Sequence, residues 1–402
     1  MEAVLKGIKV IEVASMAAGP SGGVMLADFG AEVIKVEPPT GDPWRFGHLI
    51  HPMPPSQIPY TTFIRNRSKK SVALDLKKPE AQAVLHKLVE TADVFLTNSP
   101  LKVQSDCAHT YEAIREVKPE IIYAWINGFG LNGPDKDLPG FDVTAWYARC
   151  GLSEQFRAKD GDPVMQPIGL GDTFTATTLF AGIMMGLFNK ERTGKGTRVS
   201  TSLMNNGLWA NSSMMQAALV GAPPMEKYLR DEWPQAVMGA IYKTRDERFV
   251  LINEINPNNA AGVVEALGAE HLKTDARFTT AELRTQNARA LWDQLQNVIA
   301  TMDLAEVETR FKQRGVNHGV MKTAAECAED EHMIANGCFP EVEGCEGIRT
   351  IDNPIQLDGM EKIKPQKPPE IGGNSLAELM AIGYSEEEIH AMAAAGVVGI
   401  AR

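Results

Sequence analysis

An acidic side chain between glycines, in Pro167-Ile168-Gly169-Leu170-Gly171-Asp172-Thr173, stands where a long apolar helical pattern begins. Two chemistries suit it. As an N-cap, the Asp172 carboxylate would satisfy orphan N–H groups and complement the helix dipole. As a nucleophile it would use the same dipole to lower its pKa and stay ionised, while glycines at 169 and 171 would let a substrate backbone or thioester approach with no Cβ in the way. A second group is cationic: Arg65, Arg67, Lys69, Lys70 and Lys77 bracket the apolar run at 71–76. It reads either as a solvated face or, in a chain of net charge −11, as a local patch suited to a polyphosphorylated ligand.

Other chemistries lose support by motif. No GxGxxG follows the first strand pattern, no GxxxxGK[ST] or GxSxG occurs, and the histidines form no HExxH or other metal-ligand spacing, so no metal site is expected. The acidic balance of 51 against 40 basic side chains disfavours nucleic acid and anionic lipid as partners. Five cysteines without a CxxC pair suit a reducing compartment, and 1–13 carries charges throughout, without a signal or transit pattern. The longest strongly apolar stretch, 178–188, is too short to span a bilayer. These features point to a soluble, cytoplasmic protein.

The elements that must position Asp172 follow from the patterning. Strand patterns at 7–13, 32–37, 71–76, 93–98 and 120–126 alternate with helical ones that end near 27 or cover 79–91 and 111–117, the order of an α/β, Rossmann-like sheet. A long helix over 172–192 ends in Lys190-Glu191-Arg192-Thr193-Gly194, with cations and a glycine suited to its C-terminus, and a strand over 197–203 follows. Gly221-Ala222-Pro223-Pro224 reads as a linker and 241–252 as a hairpin opening a smaller α+β domain. Beyond Gly315 short strands and turns are expected, then a proline-rich strap at 364–369, and two capping boxes, Ser375 with Glu378 and Ser385 with Glu388.

Several segments together resemble the class III coenzyme A transferases, which include formyl-CoA transferase and L-carnitine CoA-transferase. They are Leu5-Lys6-Gly7-Ile8-Lys9-Val10-Ile11-Glu12 with Ala18-Gly19-Pro20, the run from Asp28-Phe29-Gly30-Ala31-Glu32 to Glu37 with Gly41-Asp42, and Asn66-Arg67-Ser68-Lys69-Lys70 continuing to Lys77. Asn98, Gly128-Phe129-Gly130, Gly133-Pro134, Gly140-Phe141-Asp142, Gly171-Asp172 and 190–196 extend the resemblance over nearly the whole chain. It implies a large Rossmann-like domain at 1–220, a small α+β domain at 225–320, long linkers, and a segment at 321–402 returning to the large domain. It also implies a ring-shaped chain interlocked with a second copy, or with a homologous subunit, as a dimer.

The resemblance implies that Asp172 is the nucleophile of a CoA transferase, with an acyl-CoA donor, a carboxylic acid acceptor, an aspartyl anhydride and an aspartyl-CoA thioester. Coenzyme A is then a substrate, and no tightly bound cofactor is expected. Ala17 and Ala18 match the turn that contacts CoA, and Leu74, Asp75, Leu76 and Lys77 the segment along its adenosine and phosphates. Asn98 and Ser99 match a turn near the pantetheine, and Asp142 also falls among the cofactor positions. Pro38 and Asp106 replace arginines of formyl-CoA transferase, which leaves Lys69, Lys70 or Lys102 for the phosphates. No glycine-rich loop occurs between Trp233 and Asn259, which disfavours an oxalate-type substrate. Related α-methylacyl-CoA racemases carry a histidine before the aspartate of the Gly140-Phe141-Asp142 segment, where Phe141 cannot relay a proton. A non-catalytic subunit of a heterodimer is the other alternative. The segment 140–151 looks closest to transferases of aryl, enoyl or 2-hydroxy carboxylic acids. Trp146, Tyr147, Trp209, Met214 and Met215 either line an acyl pocket or belong to the core.

Overall fold

The computed structural model describes residues 3–227, 239–253 and 260–401, so much of the stretch between Trp233 and Asn259 lies outside the described residues. The chain divides into two compact units, one of residues 1–156, 163–224 and 335–402, the other of 157–162 and 225–334. In the first, strand and helix alternate: β1 Lys9–Val13, α1 Ala18–Asp28, β2 Glu32–Glu37, α2 Tyr60–Asn66, β3 Lys70–Leu74, α3 Pro79–Glu90, β4 Val94–Thr97, α4 Leu101–Asp106, α5 Tyr111–Val117 and β5 Ile122–Asn127. Then come α6 Leu152–Gln155, α7 Leu170–Thr193, β6 Thr197–Ser202, α8 Leu203–Ala210 and α9 Ser212–Leu219.

These six strands are mutually parallel in the order β3-β2-β1-β4-β5-β6, the doubly wound arrangement whose order reverses between β1 and β4. Helices cover both faces, which is why the central strands read as apolar runs. The period of two in each strand sorts their side chains. Ile11, Ile34, Val72, Phe95 and Tyr123 pack with Leu85 and Leu88 of α3, whereas Val10, Val33, Val94 and Ile122 pack with Leu26 of α1 and with Leu179 and Ile183 of α7.

In the second unit β7 Gly239–Lys243 and β8 Phe249–Asn253 form the anticipated hairpin, and β9 His318–Val320 adds antiparallel to β8. Tyr242, Val250 and Ile252 pack on Leu291, Leu295, Val307 and Phe311 from two helices. Past Gly315, β9 is followed by short helices at Ala324–Ala328 and Glu331–Ala335 where strands and turns were expected. A good capping box, Thr323 with Glu326, starts the first of them.

The last stretch of chain packs within the first unit. Gln366 and Ser68 exchange hydrogen bonds, Arg45 donates to the Pro369 carbonyl at 2.9 Å, and β10 Val398–Gly399 pairs antiparallel with β3. Of the two capping boxes, Ser385 with Glu388 forms and opens Glu386–Ala394. Ser375 with Glu378 does not: Ser375 lies inside the helix Ser375–Ala381, its hydroxyl accepts the Ala73 N–H at 3.0 Å, and Glu378 pairs with Lys70. A buried strand edge wins that hydroxyl from its own helix.

Candidate active site

The strand order reverses between β1 and β4, the place where folds of this kind bind ligands, and beyond their carboxyl ends the structure brings Ala17, Ala18 and Asn98 together. Asn98 follows β4 and clamps the turn after β1, accepting the Ser15 N–H at 3.0 Å and donating to the Ser15 carbonyl at 2.8 Å. Ala17 and Ala18 are buried at the start of α1. Ser99 presents its carbonyl to the side chains of Gln104 and Trp125. Leu74 ends β3 two strands away and packs into the core, Leu76 packs partly buried against the same cluster, Lys77 is exposed, and the Asp75 N–H donates to the Val397 carbonyl at 3.0 Å.

A buried ionic network underlies the turn. Glu12 on β1 faces Lys35 on β2; the Lys35 ammonium reaches Glu12 at 3.3 Å, Asp42 at 2.9 Å and the Ala14 carbonyl at 2.7 Å. Lys69 donates to the other Glu12 oxygen at 2.7 Å and to the Pro20 carbonyl at 2.8 Å. Burial would lower the Lys35 pKa, yet Glu12, Asp42 and Glu37 carry it above the usual lysine value. For Lys69 burial prevails over Glu12 and brings it down to about 8.

This corrects the cationic patch. Lys69 is buried on Glu12, Lys70 pairs with Glu32 and Glu378, and Arg67 forms a forked pair with Asp28 at 3.0 and 2.8 Å. Lys69 and Arg67 are buried on their partners and are not free to meet a phosphate, while the half-exposed Lys70 is shared between two carboxylates. Lys77 is exposed and forms no ion pair among the described residues, and Lys102 is exposed with Asp106 one turn on, at 2.7 Å. Those two remain available.

Asp172 is not an N-cap. Gly169 holds that position with φ +89°, and Asp172 is the third residue of α7. Its half-buried carboxylate accepts no hydrogen bond from the described residues. Nor does the helix terminus lower its pKa: burial first, and then the nearby Asp142 charge, push it up to about 7, against the pull of Arg65. Asp142 is buried at the start of a π-helical turn, Asp142–Ala148, and accepts the N–H groups of Gly169 at 2.6 Å and Val143 at 2.8 Å. Burial raises its pKa also, opposed by those bonds and by Arg65.

The glycines serve the protein more than the substrate. A Cβ on Gly171 would lie 2.7 Å from Trp146 Cγ and 2.9 Å from Asp142 Cβ, so the absent side chain is what lets α7 meet the π-helical turn. Gly169 supplies the left-handed backbone that turns its N–H to Asp142.

Of the aromatic candidates, Trp146 and Tyr147 are buried edge to face at 4.6 Å, with Phe174 6.0 Å from Trp146. The Trp146 N–H and Tyr147 O–H are buried without a hydrogen-bond partner, two polar tips in an otherwise apolar wall beside Gly171. Trp209 is 74% exposed, and Met214 and Met215 are partly buried. Sequence reasoning missed Arg65 as a member of this site. It comes from α2, and nothing in its local sequence separates it from the other cations of its run.

Among the described residues, no group of side chains could hold a metal ion, and no helix is long and apolar enough to cross a membrane.

A family model described as "CoA-transferase family III" matches residues 5–375. The chain is 33% identical over 390 residues to a cinnamoyl-CoA:phenyllactate CoA-transferase of Clostridium sporogenes, covering 95% of this chain and 94% of the relative. It is 30% identical to an (R)-2-hydroxy-4-methylpentanoate CoA-transferase of Clostridioides difficile, covering 96% and 97%. Among solved structures, a CAIB/BAIF family protein from Brucella suis superposes with a TM-score of 0.84 at 25% identity, covering 95% of this chain and all of that one.

Proposed function

Since the chain belongs to CoA-transferase family III and is a CoA-transferase, we propose that it carries coenzyme A from an acyl-CoA to a free carboxylic acid by covalent catalysis at Asp172. The observation that carries this reading is the uncommitted Asp172 carboxylate, free of hydrogen bonds on the first turn of a 24-residue helix, close enough to Arg65 to feel its charge.

An Asp172 oxygen attacks the thioester carbonyl carbon, the new C–O bond replaces the C–S bond, and the electron pair leaves on the CoA thiolate. The thiolate then attacks Cγ of Asp172 and expels the donor's acid as a carboxylate, leaving an aspartyl-CoA thioester. The acceptor carboxylate attacks Cγ in turn, and the displaced thiolate takes the acyl group from the second anhydride. Asp172 is returned ionised, with no net proton or electron consumed. A carboxylate is a poor nucleophile against a thiolate leaving group, so oriented N–H groups and the remote binding energy of CoA must stabilise the anhydride. Ala17, Ala18, Asn98 and Ser99 are assigned to the pantetheine end of the cofactor, Leu74, Asp75, Leu76 and Lys77 to its nucleotide end, and Lys77 with Lys102 to its phosphates. Asp142 is reassigned from direct cofactor contact to holding the Gly169 turn, because the Gly169 and Val143 N–H groups engage its oxygens.

Both relatives are named for acids with apolar bodies, and the phenyllactate and (R)-2-hydroxy-4-methylpentanoate of those names are 2-hydroxy acids. An aryl or branched 2-hydroxy acid beside Trp146, Tyr147 and Phe174 is therefore the proposed acceptor class. The two copies of an interlocked dimer are its proposed assembly.

Turnover with a panel of acyl-CoA donors and free acids tests the reading, together with hydroxylamine trapping of Asp172 during turnover. Asp172→Asn should abolish exchange and trapping; exchange at the wild-type rate in that variant overturns the covalent scheme. Exchange of the substrate α-hydrogen with deuterated water in the absence of an acceptor acid would instead favour a racemase, a reading that Phe141 disfavours.

A further inference from the structure

Arg65 is 7% exposed at the end of α2, and its guanidinium joins two helix starts that lie far apart in sequence. One nitrogen donates to the Ser21 hydroxyl in the first turns of α1, and both terminal nitrogens reach the Thr173 hydroxyl at 3.2 Å in the first turn of α7. The guanidinium also approaches the Gly169 turn: a Cβ on Gly169 would meet an Arg65 terminal nitrogen at 3.4 Å. The Nε of Arg65 is buried with no hydrogen-bond partner. Its charge has two carboxylates to answer, Asp172 and Asp142, and a salt-bridge partner in neither.

We propose that Arg65 is a positioning residue that acts through Asp172, pinning the first turn of α7 to α1 through Ser21 and Thr173 and so fixing a positive charge beside the nucleophile. This rests on the assignment of Asp172 as the nucleophile and adds the group that tunes it. Two like charges, Asp142 and Asp172, stand near one another in a partly dry site, and the Arg65 cation between two helix starts limits the proton affinity of Asp172. When Asp172 becomes a thioester it loses its charge, and the guanidinium keeps Asp142 as its remaining counter-charge while Ser21 and Thr173 hold it in place. The clamp therefore does not depend on the state of the nucleophile.

The elements packed on α7 bring few other charges to this end. On the π-helical turn there is Asp142. On α1 the only charged side chain is Asp28, paired with Arg67, which itself opposes Arg65. Tyr123 on β5 is bound to Gln104, Arg198 on β6 lies over Tyr111, α8 carries no charged residue, and Lys190 is held by Asp93 at the far end of α7. Tyr147 feels Asp142 and stays neutral at working pH, its hydroxyl pushed above the usual tyrosine value by burial.

The test is a titration of the full-length protein labelled with 13C at aspartate Cγ, the Asp172 signal being assigned by its loss in Asp172→Asn. Arg65→Gln should move the Asp172 midpoint upward by about one pH unit or more, as loss of a nearby opposite charge requires, whereas Arg65→Lys should keep it within about half a unit. Thr173→Val, at an exposed position, cuts the anchor to α7 without touching the charge, and a smaller upward shift is expected. The acid limb of kcat/KM for the donor should move with the midpoint in each variant, which a merely structural arginine would not produce. An unmoved midpoint in Arg65→Gln, or in Thr173→Val should Arg65→Gln fail to fold, overturns the proposal. Retained exchange in Asp172→Asn would instead remove the covalent reading, and the titration would still report on Arg65.

Discussion

At pH 7 the Asp172 carboxyl, its pKa pushed up to about 7 by burial and by Asp142, is divided between protonated and ionised forms. Only the ionised form attacks a thioester. The acylation half-reaction, followed as release of free CoA thiol in a single turnover, should therefore fall about tenfold for each pH unit below about 7 and level off above it. A flat profile from pH 5 to 8 would exclude Asp172 as the group that must ionise. The same shift has a cost in stability, and its sign is fixed. A carboxyl whose pKa is higher in the folded state than in the unfolded one costs nothing below the unfolded pKa. Between about pH 4 and pH 7 the penalty grows, because the unfolded chain releases the proton first, and above that it is constant. Asp172→Asn removes it. Thermal unfolding should find the variant more stable than wild type at pH 8, by on the order of 1 kcal/mol once solvent screening of a half-buried group is allowed for, and indistinguishable at pH 4. Stability gained at the cost of activity is common for a strained or desolvated active-site group.

Elements decide whether that carboxylate is aimed correctly. The meeting of α7 with the π-helical turn at Gly171 leaves no space for a methyl group, so Gly171→Ala must displace Trp146 or the first turn of α7. Overpacking of this kind costs about 1–3 kcal/mol. The variant should lose kcat far more than it loses affinity for the donor, because the turn proposed for CoA, at Ala17 and Ala18, is built from other elements. An unchanged kcat would show that the contact is not needed. The Lys35 network works differently, since Lys35→Met leaves Glu12 and Asp42 buried with less compensation and removes the donor to the Ala14 carbonyl. Breaking a buried pair costs about 3–5 kcal/mol, read by denaturant unfolding, and KM for the donor should rise as the turn at 14–17 loosens. Wild-type stability in that variant would mean that the network is not a structural anchor. This is also the scale at which sequence and structure part company. Periodicity placed β1, β2, β4 and β5 to within two residues and the Gly194 end of α7 correctly, because those signals are local. The pairing of Lys69 with Glu12, of Arg67 with Asp28 and of Arg65 with Thr173 joins residues 57, 39 and 108 positions apart, and no local pattern announces it. The direction of the Asp172 shift was hidden for the same reason: Asp142 is 30 positions away in sequence, and the desolvation that outweighs the helix dipole exists only after folding.

In the molecule as a whole, the end of the chain closes the edge of the sheet beside the turn proposed for the nucleotide. Val397 and Val398 are each 3% exposed, β10 seals the outer edge of β3, and the Val397 carbonyl accepts the N–H of Asp75 at the head of the Asp75-Leu76-Lys77 turn. Removing residues 396–402 deletes that acceptor and leaves β3 with an open row of N–H and C=O groups, an invitation to pairing with another chain. Burial of a valine is worth about 1.5–3 kcal/mol, an upper estimate when taken from a folded structure, so the truncated chain should unfold several degrees lower. Its KM for the acyl-CoA donor should rise, while the pH midpoint of the acylation limb stays where it was, because Asp172, Asp142 and Arg65 belong to other elements. If KM were unchanged in a truncated protein that still folds, the turn after β3 would hold its shape without the tail, and the assignment of Asp75, Leu76 and Lys77 to the nucleotide would lose its structural support. If the midpoint moved instead, the two ends of the proposed site would be coupled through the sheet rather than independent.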